Sequence, residues 1–174
     1  MRSAKVTRSK SRSRQSGLNL RVGHGWDSHR LVPGIPLMLG GVRVESELGA
    51  AGHSDGDCLL HALIDALLGA LGRGDIGQWF PDSDARWRGA DSRKFLEAVL
   101  RHPDLPDFRI VNVDMTVLLE KPKLGSSKAA ISETLAGLLG VDTARVNLKA
   151  KTWEGIEPRE PAIAAEVVLL LEIL

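Results

Sequence analysis

Several stretches of the chain alternate apolar and polar residues with a period of two. Leu18, Leu20 and Val22 do so near the start, Val111, Val113, Met115 and Val117 alternate with Asn112, Asp114 and Thr116, and Val146, Leu148 and Ala150 alternate with Asn147, Lys149 and Lys151. Successive strand side chains leave on opposite faces, so each pattern predicts a half-buried strand. Ile163 to Leu174 carries only Glu166 and Glu172 as polar residues and reads as a fourth strand, with a buried helix as the alternative. Pro36–Leu39 and Val42–Val44 flank Gly40-Gly41, the pattern of a β-hairpin. Leu59 to Leu71 is almost wholly apolar, which predicts a helix buried on most sides, capped by Ser54 with Asp57 as the capping-box acid and stopped at Gly72. Asp91 or Ser92 caps a short helix to about Arg101, and Ser127 to Leu139 forms another ended by Gly140. The expected architecture is α+β: a mixed, mostly antiparallel four-stranded sheet with helices on one face, plus a small β-hairpin.

The buried helix carries ionisable residues. Asp57, His61 and Asp65 recur every four positions, on one stripe. Burying them is costly unless they are paired or bind a metal, and a core histidine satisfied by one carboxylate would also account for the pattern. Asp27 and His29, at the end of the first strand, are two apart and share a face. With His61 they make three N/O ligands of the kind zinc accepts, and three rather than four is the catalytic pattern. Spacing alone leaves both readings standing. Asp65, four residues from His61, reads as a carboxylate that orients His61 or His53. Cys58 reads as a small core side chain. Gly74-Asp75-Ile76-Gly77 allows close approach of backbone to a ligand, or is simply the turn after the helix.

Composition narrows the class. With 174 residues and 43% hydrophobic content the chain builds one domain with a substantial core. It contains no apolar run long enough to span a bilayer. A single cysteine excludes an internal disulfide and fits a reducing compartment. Residues 1–20 hold six basic residues and no acid; without them the net charge of +1 becomes −5, so the basic character is local. This stretch reads as a disordered, solvated arm ahead of a single domain at 21–174. It lacks interleaved aromatics, so nucleic acid is not an expected partner. Its Arg/Ser-rich composition is also that of an organelle transit peptide, for which it is short. A bacterial cytoplasmic location is therefore expected before a plastid one.

Five segments occur in register: Gly23-His24-Gly25-Trp26-Asp27-Ser28-His29, His53-Ser54-Asp55-Gly56-Asp57 through His61, Gly74-Asp75-Ile76-Gly77, Phe80-Pro81-Asp82-Ser83-Asp84 and Gly89-Ala90-Asp91-Ser92-Arg93. Together they resemble the 2-C-methyl-D-erythritol 2,4-cyclodiphosphate synthase family over roughly residues 20–174. The resemblance implies a homotrimer with active sites between subunits; strands apolar on more than one face agree with that. It implies a diphosphate substrate, 4-diphosphocytidyl-2-C-methyl-D-erythritol 2-phosphate, which is cyclised with release of CMP. It further implies zinc on Asp27, His29 and His61, and magnesium or manganese on the substrate diphosphate with Glu154 as its protein ligand. His53 and Ser54 would contact the phosphate and erythritol end, and Asp75 and Gly77 the methylerythritol hydroxyls. Asp82, Lys123 and Thr152 would also line the substrate site, Lys123 as a phosphate contact and Thr152 in the cytidine pocket. Arg159 would correspond to an arginine of the trimer channel. The segment Lys151-Thr152-Trp153-Glu154-Gly155-Ile156-Glu157-Pro158-Arg159-Glu160-Pro161 departs from the family pattern, as does Gly125-Ser126 after Leu124. Two other classes are compatible with the residues: a metal-dependent phosphohydrolase, and a non-enzymatic trimeric module with a structural metal.

Overall fold

Two glycines set how closely the central helix approaches the sheet. The structure, a computed structural model, describes residues 18–156 and 158–174. Strand β1 (Leu20–Pro33) turns Gly23 and Gly25 toward helix α1 (Cys58–Leu71). A Cβ at Gly23 would lie 1.9 Å from the carbonyl oxygen of Ala66, and one at Gly25 equally close to that of Ala62. No side chain fits there, so helix backbone lies directly on strand backbone. That contact brings the polar residues of both elements within reach of one another.

The remaining elements, in chain order, are β2 (Leu37–Leu39), β3 (Val42–Val44), β4 (Leu48–Ala50), α2 (Ile76–Trp79), α3 (Ser92–Leu100), β5 (Phe108–Leu119), α4 (Lys128–Leu139), β6 (Val146–Lys151) and β7 (Ala162–Ile173). The main sheet has five strands, ordered β4-β1-β7-β5-β6, rather than the expected four. The addition is β4, three residues paired antiparallel to the end of β1 through Leu31↔Ala50 and Pro33↔Leu48. Too short to show a period, it exists because β1 runs on past β7 and leaves an edge to cover. β1, β7 and β5 are antiparallel neighbours, and β6 joins β5 in parallel, the mixed pattern expected. β2 and β3 form the separate hairpin. Ile163 to Leu174 is a strand and not a helix.

The two sheet faces differ. Val113, Met115 and Val117 of β5 and Ile163, Ala165, Val167, Leu169 and Leu171 of β7 are buried on the helical side with Leu59, Leu63 and Leu67 of α1. Each such leucine contributes about 1.5–3 kcal/mol by leaving water. On the other face Val22, Trp26 and Val168 remain 67%, 55% and 42% exposed.

The helix cap differs from expectation. Gly56 takes φ 71°, which breaks any helix beginning at Ser54. Asp57 is the N-cap, its carboxylate accepting from Leu60 N at 3.0 Å. The same carboxylate accepts from Gly40 N at 2.8 Å and Gly41 N at 2.7 Å, stapling the hairpin turn to the helix start. Complete burial raises the Asp57 pKa, against the pull of these three N–H groups. Asp57 is therefore structural and does not share a ligand stripe with His61.

Candidate metal centre

Asp27 and His29 lie in the body of β1, opposite Ala165 and Ile163 of β7, and their side chains turn toward α1. His61 comes one turn into α1 to meet them. Asp27 Oδ2 lies 2.9 Å from His29 Nε2 and 3.0 Å from His61 Nδ1, and the two histidine nitrogens are 3.2 Å apart. Three donors bonded to one tetrahedral ion at ordinary zinc–nitrogen and zinc–oxygen lengths would be about 3.3 Å apart. The donor set and its spacing therefore fit a metal ion. Side-chain exposures of 26%, 16% and 12% for Asp27, His29 and His61 leave the centre open on one side.

Charge pairing also ties the three residues together. Burial works against ionisation of Asp27, but the hydrogen bonds and charges of His29 and His61 outweigh it and hold the carboxyl well below the usual carboxylate range. Burial likewise opposes protonation of His29, yet bonding to Asp27 raises its pKa overall. His29 also bonds the backbone carbonyl of Ala51, which suits a ligand whose far nitrogen must carry the proton. Cys58 is buried beside the cluster and its Sγ donates to the Asp27 carbonyl at 3.1 Å. Burial, with Asp27 and Asp57 nearby, pushes its pKa far up, so it is a neutral thiol, as expected for a core side chain.

The other expected site residues fall into three groups. Ser54 is within the centre, its Oγ 3.0 Å from His61 Nε2. His53 is adjacent in the chain; its Nε2 is buried without a hydrogen-bond partner among the described residues. Asp65 does not hold a histidine: its carboxylate accepts from Ile76 N at 2.7 Å, tying α1 to the turn that follows it. In that turn Asp75 caps α2, accepting from Gln78 N at 2.9 Å, and Gly77 and the loop residue Asp82 are exposed. The third group sits at the ends of β5 and β6. Lys123 is exposed, 3.8 Å from Glu120. Thr152 donates its hydroxyl proton to Glu154, which is exposed and has φ 52°. Arg159 is exposed beside a cavity of about 310 Å³ that Trp153, Pro158 and Pro161 help to line.

The register measures the distance between groups. His29 stands opposite Ile163 on β7, Ile163 opposite Leu119 on β5, and Leu118 opposite Lys151 on β6. At about 4.8 Å per strand, Lys151 lies roughly 14 Å across the sheet from His29. Thr152 to Glu154 continue beyond the end of β6, at the same end of the sheet as His29.

Two residues near His61 had no role in the site from sequence; Ser92 was read only as a candidate cap of α3, a place that Asp91 takes. Ser92 and Asp55 stand 37 positions apart and meet only because Gly89 N donates to the His53 carbonyl at 2.8 Å and Asp55 N to that of Ala90 at 3.0 Å. Both lie inside the matched segments, and that was the only signal available.

The signature of the YgbB family matches residues 20–172. The chain belongs to that family. Relatives named 2-C-methyl-D-erythritol 2,4-cyclodiphosphate synthase include the chloroplastic protein of Catharanthus roseus, 48% identical over 88% of this chain and 66% of that protein. The protein of Koribacter versatilis is 48% identical over 87% of this chain and 97% of its own length. Among solved structures, a 2C-methyl-D-erythritol-2,4-cyclodiphosphate synthase in a CDP-bound form superposes with a TM-score of 0.81 at 43% identity, covering 87% of this chain and 99% of that one. The bifunctional IspDF of Campylobacter jejuni gives a TM-score of 0.84 at 35% identity over 91% of this chain and 43% of its own. The YgbB match starts where β1 starts and ends one residue before the end of β7, so the family signature and the folded unit coincide.

Proposed function

We infer that the chain converts 4-diphosphocytidyl-2-C-methyl-D-erythritol 2-phosphate to 2-C-methyl-D-erythritol 2,4-cyclodiphosphate and CMP, a phosphorus–oxygen lyase step of the non-mevalonate isoprenoid route. An oxygen of the 2-phosphate attacks the β-phosphorus, the bond from that phosphorus to the α-phosphate oxygen breaks, and CMP leaves with the electron pair. Such a step is catalysed mainly by holding two anionic phosphates in line and offsetting their charge. The chemistry supplied by zinc on Asp27, His29 and His61, and by magnesium or manganese on Glu154, is Lewis-acid polarisation of phosphate oxygens. Ser54 Oγ, beside His61, is placed to donate to the same phosphate. His53 offers an unpartnered ring nitrogen, Asp75 and Gly77 a polar turn for the methylerythritol hydroxyls, and Asp82 an exposed loop carboxylate. Lys123 and Thr152 serve the nucleotide end.

The single observation that carries this reading is the Asp27–His29–His61 cluster within a YgbB fold. The roughly 14 Å between His29 and Lys151, where β6 ends, supports a homotrimer in which the site is completed between subunits. The exposed Val22, Trp26 and Val168 supply the apolar surface for it, and Arg159 would lie at such an interface. No described helix is long and apolar enough to cross a membrane. We place the enzyme in the bacterial cytoplasm; the chloroplastic relatives keep a plastid in view. Residues 1–17 lie outside the described residues. The expected boundary at 20 moves toward the N-terminus, because Leu20 opens β1 and the Asn19 carbonyl accepts from Ile173 N; we take residues 1–17 as dispensable, so removing them should leave turnover within about twofold.

The test is product analysis by phosphorus NMR after incubation of the purified chain with the diphosphocytidyl substrate, zinc and magnesium. A cyclic diphosphate with one equivalent of CMP is expected. Two linear phosphates would instead make the chain a phosphohydrolase, and no turnover would leave a binding module.

A further inference from the structure

Ser92 is one of two fully buried polar residues among those described; the other, Asp57, is accounted for by the hairpin turn. Ser92 opens α3 and sits where three parts of the chain converge: α1, the His53–Asp55 loop and α3 itself. Its Oγ is 2.5 Å from Asp55 Oδ1, 3.0 Å from His61 Nε2 and 3.3 Å from Ser54 Oγ. Its backbone N–H donates to Asp55 Oδ2 at 3.1 Å. Asp55 thus grips both donors of one serine.

The proton count fixes the direction of this chain. A carboxylate only accepts, so the single hydroxyl proton of Ser92 is committed to Asp55 in a short, charge-assisted bond. The Ser92 oxygen can then only accept from His61. His61 Nδ1 faces Asp27 Oδ2 at 3.0 Å and His29 Nε2 at 3.2 Å, so with an ion among these three donors the one remaining ring proton of His61 sits on Nε2. There the Ser92 and Ser54 oxygens, each 3.0 Å away, can accept it. Ser54 keeps its own hydroxyl proton free for a ligand.

We propose that Asp55 and Ser92 are positioning residues of the metal centre, a relay from Asp55 through Ser92 that locks His61 as the Nε2–H tautomer with Nδ1 ready to bind the metal. The proposal rests on the metal reading given above, and the relay accounts for why an aspartate and a buried serine are held together so far from each other in sequence. Neither residue touches the ion or the substrate. Their effect passes through one ring, as outer partners of metal-bound histidines generally act.

The experiment uses the whole chain and its Asp55→Asn and Ser92→Ala variants, with thermal melting to confirm folding. Asp55→Asn keeps the side-chain size and one acceptor oxygen, so it can take the Ser92 N–H or its hydroxyl proton but not both, and its NH₂ then faces the other donor. Proton NMR of the zinc-loaded protein should show the His61 Nε2–H as a hydrogen-bonded, slowly exchanging signal in the parent and a faster-exchanging one in both variants. Zinc affinity by chelator competition should fall about 10- to 100-fold in both variants. A zinc-loaded parent without that protected proton, or folded variants that bind zinc within twofold of the parent, would overturn the proposal. A parent that binds no zinc would remove the metal reading, and the relay with it.

Discussion

The metal centre and the segment from Lys151 to Pro161 face the same end of the sheet but are built on opposite principles. Asp27 and His29 are fixed by β1, which is paired with β7 and pressed against α1 through two glycines. His61 is fixed by α1, by Ser54 and by Ser92. Each ligand is held by more contacts than its position needs. Glu154, by contrast, follows the end of β6 in an exposed turn, with the left-handed backbone that a non-glycine residue adopts at a cost, and is bonded to Thr152. The first region gathers its three donors within one chain, and the second leaves its polar side chains exposed. The candidate metal centre is written into the sheet and helix, and the segment after β6 is left in a loop.

The contrast can be broken first at its strongest point. His61→Ala should lower turnover by about 1,000-fold or more and abolish zinc binding, as measured by turnover and metal analysis, because the loss of one ligand also leaves Asp27 and His29 without their shared ion. Turnover within tenfold of the parent would show that the cluster is not the reacting centre. Glu154→Gln comes next, with an expected loss of roughly 100-fold in turnover. Zinc content should not change, while the magnesium requirement should rise. Normal turnover with the usual magnesium dependence would reduce Glu154 to a strand-end residue. Third, Gly25→Ala forces a methyl group into the Ala62 carbonyl, so denaturant melts should show a loss of about 3 kcal/mol, the upper end for overpacking because backbone must move. A loss under about 0.5 kcal/mol would mean that α1 is free to retreat and that the metal ligands are less rigidly placed than the sheet suggests.

Local patterns made much of the fold legible. The alternation at 110–119 and the apolar run from Leu59 named a strand and a helix correctly, and Gly140 stopped α4 where expected. The diglycine hairpin was equally plain because Gly40 and Gly41 both need positive φ. Short and long-range features were not. β4 has three residues, and Gly49 within it is chosen because a Cβ would meet the Ile35 carbonyl at 2.3 Å, a constraint absent from the local pattern. The cap moved from Ser54 to Asp57 because Gly56 turns the chain, and Asp65 turned to Ile76 because that backbone N–H needed an acceptor. In the metal centre, the three ligands were legible from residue type, shared strand face and family resemblance. The Asp55–Ser92 pair was not, since only the folded backbone brings residues 55 and 92 together.

The most direct test of the central claim is X-ray absorption at the zinc edge of the metal-loaded chain. Two imidazole nitrogens and two oxygens, one from Asp27 and one from solvent or substrate, are predicted at about 2.0–2.2 Å, with no sulfur in the shell. A zinc–sulfur distance near 2.3 Å would place Cys58 on the metal. That result, or a chain that retains no metal at all, would contradict the Asp27–His29–His61 centre.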